Sequence, residues 1–270
     1  MNNTTDYLME NLEEAIRLEV KTDAQAVLKQ AKWCGLKPRQ RVLDAGCGSG
    51  LVTSILYTMI QPSGQILGLD SSKERIQYAK KKYSSTPSID FQQHNLIDPL
   101  DGFEKFDIIW VRFLLEYYRK ESRDIVENLS RCLKPGGYLC LLDLDHNSLN
   151  HFELPSNMTR ILHRIIDKLE HEFNFDPYVG RKLYAYLYDL GFENIQMDLT
   201  AHHLIYGEIK GSDRFNWFKK VEVATEKTLD LFEDYPGNHE AFFRDFEAFF
   251  MNPRRFTYTP LIMCKGAKPF

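Results

Sequence analysis

The chain has 270 residues, of which 43% are apolar and 27% are charged, so it can bury a sizeable core and is not a disordered chain. Its net charge is -4, and its lysines and arginines are interspersed with acids. This distribution argues against nucleic acid or an anionic membrane as the partner.

Cysteine usage and the amino terminus bear on the compartment. The five cysteines are odd in number and include no C-x-x-C pair, which argues against a disulfide scaffold or a structural zinc site. The amino terminus is polar and acidic, unlike a signal peptide, and no apolar run approaches the length of a membrane span. We therefore expect a soluble cytoplasmic protein without a membrane span.

Helices and strands alternate in the first half of the chain. Apolar spacing predicts a helix over residues 6–33. Buried strands are predicted at residues 41–46, 65–70, 88–95, 106–111 and 138–145. Helices are predicted between them at residues 51–60, 71–85 and 121–133, and a tight turn at residues 134–137. This alternation predicts a parallel sheet with right-handed crossovers.

Beyond residue 145 the pattern becomes mostly helical. Helices are predicted at residues 155–173, 178–190 and most of 211–252, and strands at residues 191–206 and 255–264. The aromatic-rich segment between the last two strands is far longer than a hairpin needs. It is either a cap over a site or an oligomer surface, and we treat it as a candidate homodimer contact. Three parts are predicted: a helical lid at residues 1–34, a core at residues 35–206 and 254–270, and the cap at residues 207–253.

Three glycines follow the first strand in VLDAGCGSGL, residues 42–51. Such a turn between a strand and a helix lets a ligand approach backbone N–H groups closely. A P-loop would need a Lys-Ser/Thr pair here, and a dinucleotide fingerprint would need glycine in place of Leu51. Asp44 would repel a pyrophosphate but suits an ammonium group. The loop predicts a nucleoside-like ligand that carries a cation, or else a purely structural turn.

Asp70 ends the second strand, where a carboxylate can accept hydrogen bonds from ribose hydroxyls. A ribose at one end and an ammonium at the other describe S-adenosylmethionine. Transfer of its methyl group is an in-line displacement, so positioning and exclusion of water supply much of the acceleration. A general base is needed only if the acceptor must lose a proton.

These motifs resemble, in the right order over residues 35–145, those of the class I S-adenosylmethionine-dependent methyltransferases. VLDAGCGSG and LGLDSS match the first two motifs, and FDIIWVRFLLEY and LSRCLKPGGYLCLLDLD are similar to the later ones. Residues 175–197 are similar to the small-molecule, ubiquinone-biosynthesis-like branch. The resemblance implies a Rossmann-like, doubly wound, mostly parallel sheet whose last strand is antiparallel.

The resemblance also implies where the cofactor binds. Asp44 and the loop at residues 46–50, with Gly46, Cys47 and Gly48, would hold the methionine moiety, and Asp70 would hold the ribose. Four further residues are assigned in the same way, namely Ser71 beside the ribose, Asn95 and Leu96 at the adenine, and Val111 near the sulfonium. Asn95 stands where this family usually has an aspartate, and an amide can still accept a hydrogen bond from the adenine amino group.

The candidate catalytic residues are Arg112, Asp145 and His146. In similar enzymes an arginine near Arg112 lies at the active site, although a structural ion pair is the competing interpretation. Asp145 and His146 end the fifth strand at the expected substrate mouth, where one of them could contact the acceptor or act as a base. Tyr7 on the lid helix is a candidate substrate contact or a packing residue.

Other acidic and imidazole groups are weaker candidates. His94 and Asp143 also lie near strand ends and could serve as a base. His202 and His203 are adjacent on a predicted strand and should point to opposite faces, so a shared metal site is disfavoured. We expect no metal.

We therefore expect methyl transfer from S-adenosylmethionine to oxygen, nitrogen or carbon of a small, partly apolar molecule. Methylation of a protein side chain is an alternative that would require an open groove. A protein that binds the cofactor without catalysis is the alternative outside the enzymes.

Overall fold

The computed structural model describes residues 19, 22–83 and 85–270. This part of the chain contains seven strands: β1 (Arg41–Ala45), β2 (Gln65–Asp70), β3 (Ile89–Gln93), β4 (Phe106–Arg112), β5 (Leu133–Leu144), β6 (Glu193–Tyr206) and β7 (Phe256–Ala267). They form one sheet in the order β3-β2-β1-β4-β5-β7-β6.

The same part of the chain contains the following α-helices: α1 (Ala24–Cys34), α2 (Leu51–Ile60), α3 (Lys73–Tyr83), α4 (Ser122–Arg131), α5 (Ser156–Glu172), α6 (Leu183–Asp189), α7 (Gly211–Glu226) and α8 (Asn238–Met251). Short 3₁₀ turns lie at Leu115–Tyr117, Val179–Lys182 and Leu229–Phe232. Among these helices none has the length and apolar character that a membrane span requires.

The sheet confirms the predicted Rossmann-like fold. Strands β1 to β5 pair in parallel, and β7 runs antiparallel to both β5 and β6. The sequence did not indicate that β7 lies inside the sheet, between β5 and β6. Its middle residues are buried on both faces, as an inner strand requires, whereas most of β6 is exposed at the edge.

Alternate residues of the inner strands supply two apolar layers. Leu43 and Ile109 face a core that includes α4 and α6, while Val42 and Ile108 face a core that includes α1 and α2. Because the side-chain period of a strand is two, neighbouring residues serve opposite faces. The sheet is therefore covered on both sides.

Three helices outside this sandwich share a third core, which we call the aromatic core. It joins α5, α7 and α8 around buried Trp217, Phe242, Phe246 and Phe250. Each of these rings is at most 2% exposed. Their helical spacing therefore serves packing between helices, whereas the roles of residues 207–253 as a cap or as a dimer surface stay predictions.

Two predicted boundaries differ from those observed. Helix α1 begins after Asp23, whose carboxylate accepts from the N–H groups of Gln25 and Ala26 and so caps it. Most of the predicted helix before it, including Tyr7, lies outside the described residues. The predicted turn at residues 134–137 is instead part of β5, where Gly136 and Gly137 exchange backbone hydrogen bonds with Lys268.

Candidate active site

A cavity lies at the carboxyl ends of β1, β2 and β4, where an open α/β sheet binds its ligands. It encloses about 890 Å³ when the space is counted out to bulk solvent. Its walls are formed by Thr22, Asp44, Gly46, Cys47, Gly48, Ser49, Leu51, Val52, Asp70, Ser71, Arg75, His94, Leu96, Arg112, Phe113, Leu114, Tyr117 and Tyr118. The glycine loop and the carboxylates of Asp44 and Asp70 therefore border one open cavity at this edge of the sheet.

The glycine loop after β1 is held tightly against its surroundings. The N–H groups of Gly46 and Cys47 both donate to the carbonyl of Leu69, at 2.8 and 2.9 Å. At Gly46, which has φ +79°, a Cβ would stand 2.8 Å from the side chain of Leu114. The loop is therefore a packed turn whose glycine is required sterically, and it also forms one wall of the cavity.

Asp44 brings a buried carboxylate to the floor of the cavity. Its Oδ2 accepts a hydrogen bond of 2.6 Å from the Thr53 hydroxyl. Burial raises the pKa of Asp44 to about 7, although the Thr53 bond and the Arg112 charge lower it and Asp70 raises it further. A ligand cation beside Asp44 would stabilise its ionised form.

Asp70 is the most heavily hydrogen-bonded group of the cavity. Its Oδ2 accepts from the N–H of Gly48 at 2.9 Å. Its Oδ1 accepts from the N–H of Ser72 at 2.9 Å and from Nε and Nη2 of Arg75 at 3.0 and 2.9 Å. Asp70 therefore ties the glycine loop to the start of α3 and remains a wall of the cavity.

Arg112, at the end of β4, lies beside Asp44 and Asp143. Its Nε donates to Oε1 of Gln30 at 3.0 Å, and its guanidinium lies 4.0 Å from the ring centre of Phe113. Burial lowers the pKa of Arg112 to about 10, against the opposing charges of Asp44 and Asp143. Arg112 is thus a partly buried cation that faces the cavity and still carries its charge near neutral pH.

Asp143 anchors the turn after β4, whose Leu114 lies against Gly46 in the cavity wall. Its carboxylate accepts from the N–H groups of Leu115 and Leu144 at 2.8 and 2.9 Å. Burial and the neighbouring Glu116 raise the pKa of Asp143. Because the anchored turn continues into Tyr117, Asp143 positions the wall of the cavity without lining it.

Glu116 connects the same turn to the aromatic core. Its Oε2 accepts from Nδ2 of Asn147 at 2.6 Å, and Oδ1 of Asn147 accepts from Nζ of Lys220 at 2.6 Å. Lys220 belongs to α7. A chain of hydrogen bonds therefore runs from the aromatic core to the cavity.

The structure brings most of the predicted cofactor residues together at this cavity. Its walls include Asp44, Gly46, Cys47, Gly48, Asp70, Ser71 and Leu96, together with the candidate catalytic Arg112. Asn95 is exposed, and its Oδ1 accepts from the N–H of Ile97. Val111 is 1% exposed and packs in the core, so neither of these two residues lines the cavity.

The other candidate catalytic residues lie outside the cavity walls. The carboxylate of Asp145 accepts from Nε and Nη2 of Arg181 at 2.8 and 3.0 Å, and His146 packs edge-on against Tyr178. Asp145 is therefore engaged in an ion pair on the side of β5 that faces the 3₁₀ turn at Val179–Lys182. Catalytic roles for Asp145 and His146 stay predictions.

Several wall residues were not selected from the sequence, namely Thr22, Leu51, Val52, Arg75, Phe113, Leu114, Tyr117 and Tyr118. Arg75 has a detectable signal, because a cation in the first turn of a helix opposes the helix dipole and needs another partner. Phe113 has φ +55°, which is rare for a bulky residue and has no signature in the sequence.

The prediction that His202 and His203 point to opposite faces is wrong. A bulge shifts the register of β6 between Ala201 and His203, and the two ring centres lie 4.2 Å apart. His202 also packs against Phe113, at 4.5 Å between ring centres. Within the described ranges no group of three or more His, Cys, Asp or Glu side chains could hold a metal ion.

The cavity fits the predicted cofactor in charge and shape. Asp44 and Asp70 place acids at the ends of two neighbouring strands, and Leu96 is a buried apolar residue in the wall beyond β3. Asp44 has a pKa of about 7, close enough to neutrality that an adjacent ammonium would hold it ionised. These residues suit a ligand with a cation at one end and hydroxyls at the other.

Comparison with known proteins agrees with this site. Residues 42–137 match the family model described as a methyltransferase domain. The chain is 30% identical over 116 residues to a 2-phytyl-1,4-naphtoquinone methyltransferase of Synechococcus elongatus, covering 42% of this chain and 49% of that protein. It is 31% identical over 112 residues to a demethylmenaquinone methyltransferase of Lactococcus lactis, covering 40% of this chain and 43% of that protein.

Solved structures extend the likeness in fold. Phosphoethanolamine N-methyltransferase 2 of Haemonchus contortus, solved with S-adenosyl-L-methionine, superimposes with a TM-score of 0.54 at 14% identity, covering 91% of this chain and 53% of that chain. At this identity the likeness shows the fold. The chain spans about half the length of the curated relatives it matches. Residues 42–137 therefore form a methyltransferase domain, and its cofactor is S-adenosylmethionine.

Proposed function

We propose that this protein transfers the methyl group of S-adenosylmethionine to oxygen, nitrogen or carbon of a small, partly apolar acceptor. The observation that carries the proposal is the cavity itself. It brings the glycine loop, Asp44 and Asp70 together with Arg112, Phe113 and the side chains of Tyr117 and Tyr118.

The cofactor, when bound, supplies a methyl group on an already activated sulfonium. Asp44 binds the ammonium end, and the buried surroundings that raise its pKa also strengthen that ion pair. Asp70 accepts from the ribose, and the loop at Gly46 to Gly48 lets the ligand approach the backbone. The residues of the chain thus bind and orient the reacting methyl group and exclude water from it.

The acceptor binds on the side of Phe113 and Tyr117. Both residues line the cavity, and behind them lie His202 against Phe113 and Phe175 against Tyr117. Arg112 supplies a cation at this wall, which would stabilise an acceptor that loses a proton. A small molecule with an apolar body and one nucleophilic polar atom fits these surroundings.

Calorimetric titration with S-adenosylmethionine and, separately, with NADH tests the cofactor. We expect micromolar binding of S-adenosylmethionine and no binding of NADH. The Asp44→Asn variant should bind S-adenosylmethionine at least tenfold more weakly, since it lacks the charge that meets the ammonium. The control is Asp189→Asn, at the end of α6 and outside the cavity walls. Binding of NADH alone would contradict the proposal.

Transfer itself is tested with S-adenosylmethionine labelled in its methyl group and a panel of phenols, amines and carbon acids. Label recovered in a small organic product supports the proposal, and the product identifies the methylated atom. Label recovered in added protein would instead favour side-chain methylation. Tight cofactor binding without transfer to any acceptor would favour the non-catalytic alternative.

A further inference from the structure

The two oxygens of the Asp70 carboxylate accept different numbers of hydrogen bonds from the protein. Its Oδ1 accepts three hydrogen bonds, one from the N–H of Ser72 and two from the guanidinium of Arg75. Its Oδ2 accepts from one donor among the described residues, the N–H of Gly48. A carboxylate oxygen has about two lone-pair sites, so Oδ1 is saturated and Oδ2 has one acceptor site left.

Arg75 is built into the structure rather than attached to its surface. Its side chain is 8% exposed, that of Asp70 is 7% exposed, and they form an ion pair of 2.9 Å. Both residues line the cavity. A buried, two-point contact between an arginine and a carboxylate is directional and resists replacement by a neutral hydroxyl.

The position of Arg75 in the chain supports this interpretation. It lies in the first turn of α3, where the helix dipole disfavours a cation. The carboxylate of Asp70 is the partner that opposes this cost, since it accepts two hydrogen bonds from the guanidinium. The backbone N–H of Arg75 also donates to Oγ of Ser72 at 3.3 Å, which caps this end of the helix.

We infer that Arg75 is a positioning residue that reserves Oδ1 of Asp70 for the protein and leaves Oδ2 to accept a single ribose hydroxyl. The inference rests on the proposed function, since it takes the ligand to be an adenosyl compound. It differs from the two-hydroxyl contact expected from the sequence. Recognition of the ribose by Asp70 is therefore one-sided, and Arg75 determines which oxygen takes part.

The test measures the affinities of S-adenosylhomocysteine and of its 2′-deoxy and 3′-deoxy forms by calorimetry on the full chain. For the unmodified protein, removal of one hydroxyl should weaken binding about tenfold or more, as loss of a hydrogen bond to a charged group does. Removal of the other hydroxyl should change the affinity less than threefold. A loss of tenfold or more for both analogues, or for neither, would overturn the inference.

Substitution of Arg75 should change how much each ribose hydroxyl adds to the affinity, and a purely structural role for Arg75 would not change this. In Arg75→Met, Oδ1 loses two donors and can accept a hydrogen bond from the ligand. Removal of the hydroxyl that mattered little in the unmodified protein should then weaken binding at least fivefold. Arg75→Lys keeps the charge and should give an intermediate value, and it replaces the methionine variant if that one does not fold. Arg131→Met, which removes an exposed pair with Glu127 on α4, is the matched control and should keep the pattern of the unmodified protein.

The outcomes separate this inference from the proposed function. If S-adenosylhomocysteine itself does not bind, the proposed function fails, and this inference fails with it. If it binds and both hydroxyls contribute equally in the unmodified protein, the inference fails while the proposed function stands. An unchanged hydroxyl pattern in both folded Arg75 variants also contradicts the role given to Arg75.

Discussion

The cavity and the aromatic core differ in the interactions that form them, which are between charged groups at the cavity and between apolar rings in the core. At the cavity, buried carboxylates and arginines oppose one another, and their burial disfavours their charges, as the raised pKa of Asp44 and the lowered pKa of Arg112 show. In the aromatic core, Trp217 and Phe246 each contact Phe250, with ring centres 4.9 Å apart in both pairs. The charged groups of the cavity therefore serve to bind a charged ligand, whereas the packed rings of the aromatic core stabilise the fold.

The difference teaches that function and stability should respond separately to substitution. Removal of a charged group at the cavity should act mainly on the affinity for the cofactor. Removal of a ring from the aromatic core should act mainly on the free energy of unfolding. Four predictions, from the largest effect to the smallest, test this separation.

Phe246→Ala should lower the free energy of unfolding by about 3–5 kcal/mol, because the ring is fully buried and its loss leaves a cavity. Urea unfolding measures this change, and Phe215→Ala is the control because Phe215 is 49% exposed. We expect the affinity of the folded variant for S-adenosylhomocysteine to stay within twofold. An affinity loss above tenfold would show that the two regions are not separate.

His151 should make the aromatic core sensitive to acid. Burial lowers its pKa to about 4, below the ordinary 6.5, while Nδ1 and Nε2 bond to Thr257 and Ser148. The unfolded chain therefore takes up a proton at His151 first, and stability is lost as the pH falls from about 6.5 to 4. The loss approaches about 3 kcal/mol at the lower end.

The measurement compares unfolding at several pH values in His151→Gln and in the unmodified protein. The variant should lose less stability than the unmodified protein between pH 6.5 and 4, whatever its stability at pH 7. His171→Gln, on the exposed face of α5, should retain the original slope. Equal slopes in His151→Gln and the unmodified protein would contradict the prediction.

Asp44 should make cofactor binding depend on pH, with weaker binding at lower pH. Its folded pKa of about 7 lies above the ordinary 3.8, so it loses its proton, and gains its charge, as the pH rises through 7. The affinity for S-adenosylmethionine should increase up to about tenfold per pH unit below 7. For the unliganded protein, the same shift makes stability fall as the pH rises from about 4 to 7.

Calorimetry at pH 6, 7 and 8 measures the binding effect, and comparison with Asp44→Asn separates it from titration of the cofactor. The variant should bind weakly with a flattened pH dependence and should unfold at a higher temperature than the unmodified protein above pH 7. A variant that keeps the full pH dependence would show that another group controls binding.

Lys220→Met should reveal how far the two regions are linked. The substitution removes the bond from Nζ to Asn147 and so interrupts the chain of hydrogen bonds to Glu116. We expect a loss of about 1 kcal/mol in stability and a two- to fivefold loss in affinity for S-adenosylhomocysteine. Lys219→Met, which removes a surface pair with Glu222, should change neither. Equal effects of the two substitutions would mean that the chain of bonds carries no coupling.

Sequence reasoning succeeded where the determinants are local. Alternation of strands and helices predicted the sheet, and an acid at the end of a short strand placed Asp44 and Asp70 at its carboxyl edge. Gly46 could be predicted because its positive φ of +79° is a local backbone conformation that favours glycine. Each of these features depends on a few consecutive residues and the period of the strand.

The remaining features depend on contacts between distant segments. The side chain of Arg75 is directed by its pairing with Asp70, and Phe113 reaches the cavity through a positive φ that no local pattern requires. The bulge before His203 overrides the alternation of β6 because the partner strand sets its register. The inner position of β7 likewise depends on pairing across the sheet rather than on its own composition.

The pairing of Tyr206 with Phe256 has a consequence for how such a protein can change. These residues are the last of β6 and the first of β7, so the chain leaves the sheet and returns to it about 5 Å away. A segment with adjacent ends can be lengthened, shortened or exchanged at a closure cost that grows only slowly with its length. Residues 207–255 can thus change in length while the pairing of the strands that carry the glycine loop stays the same.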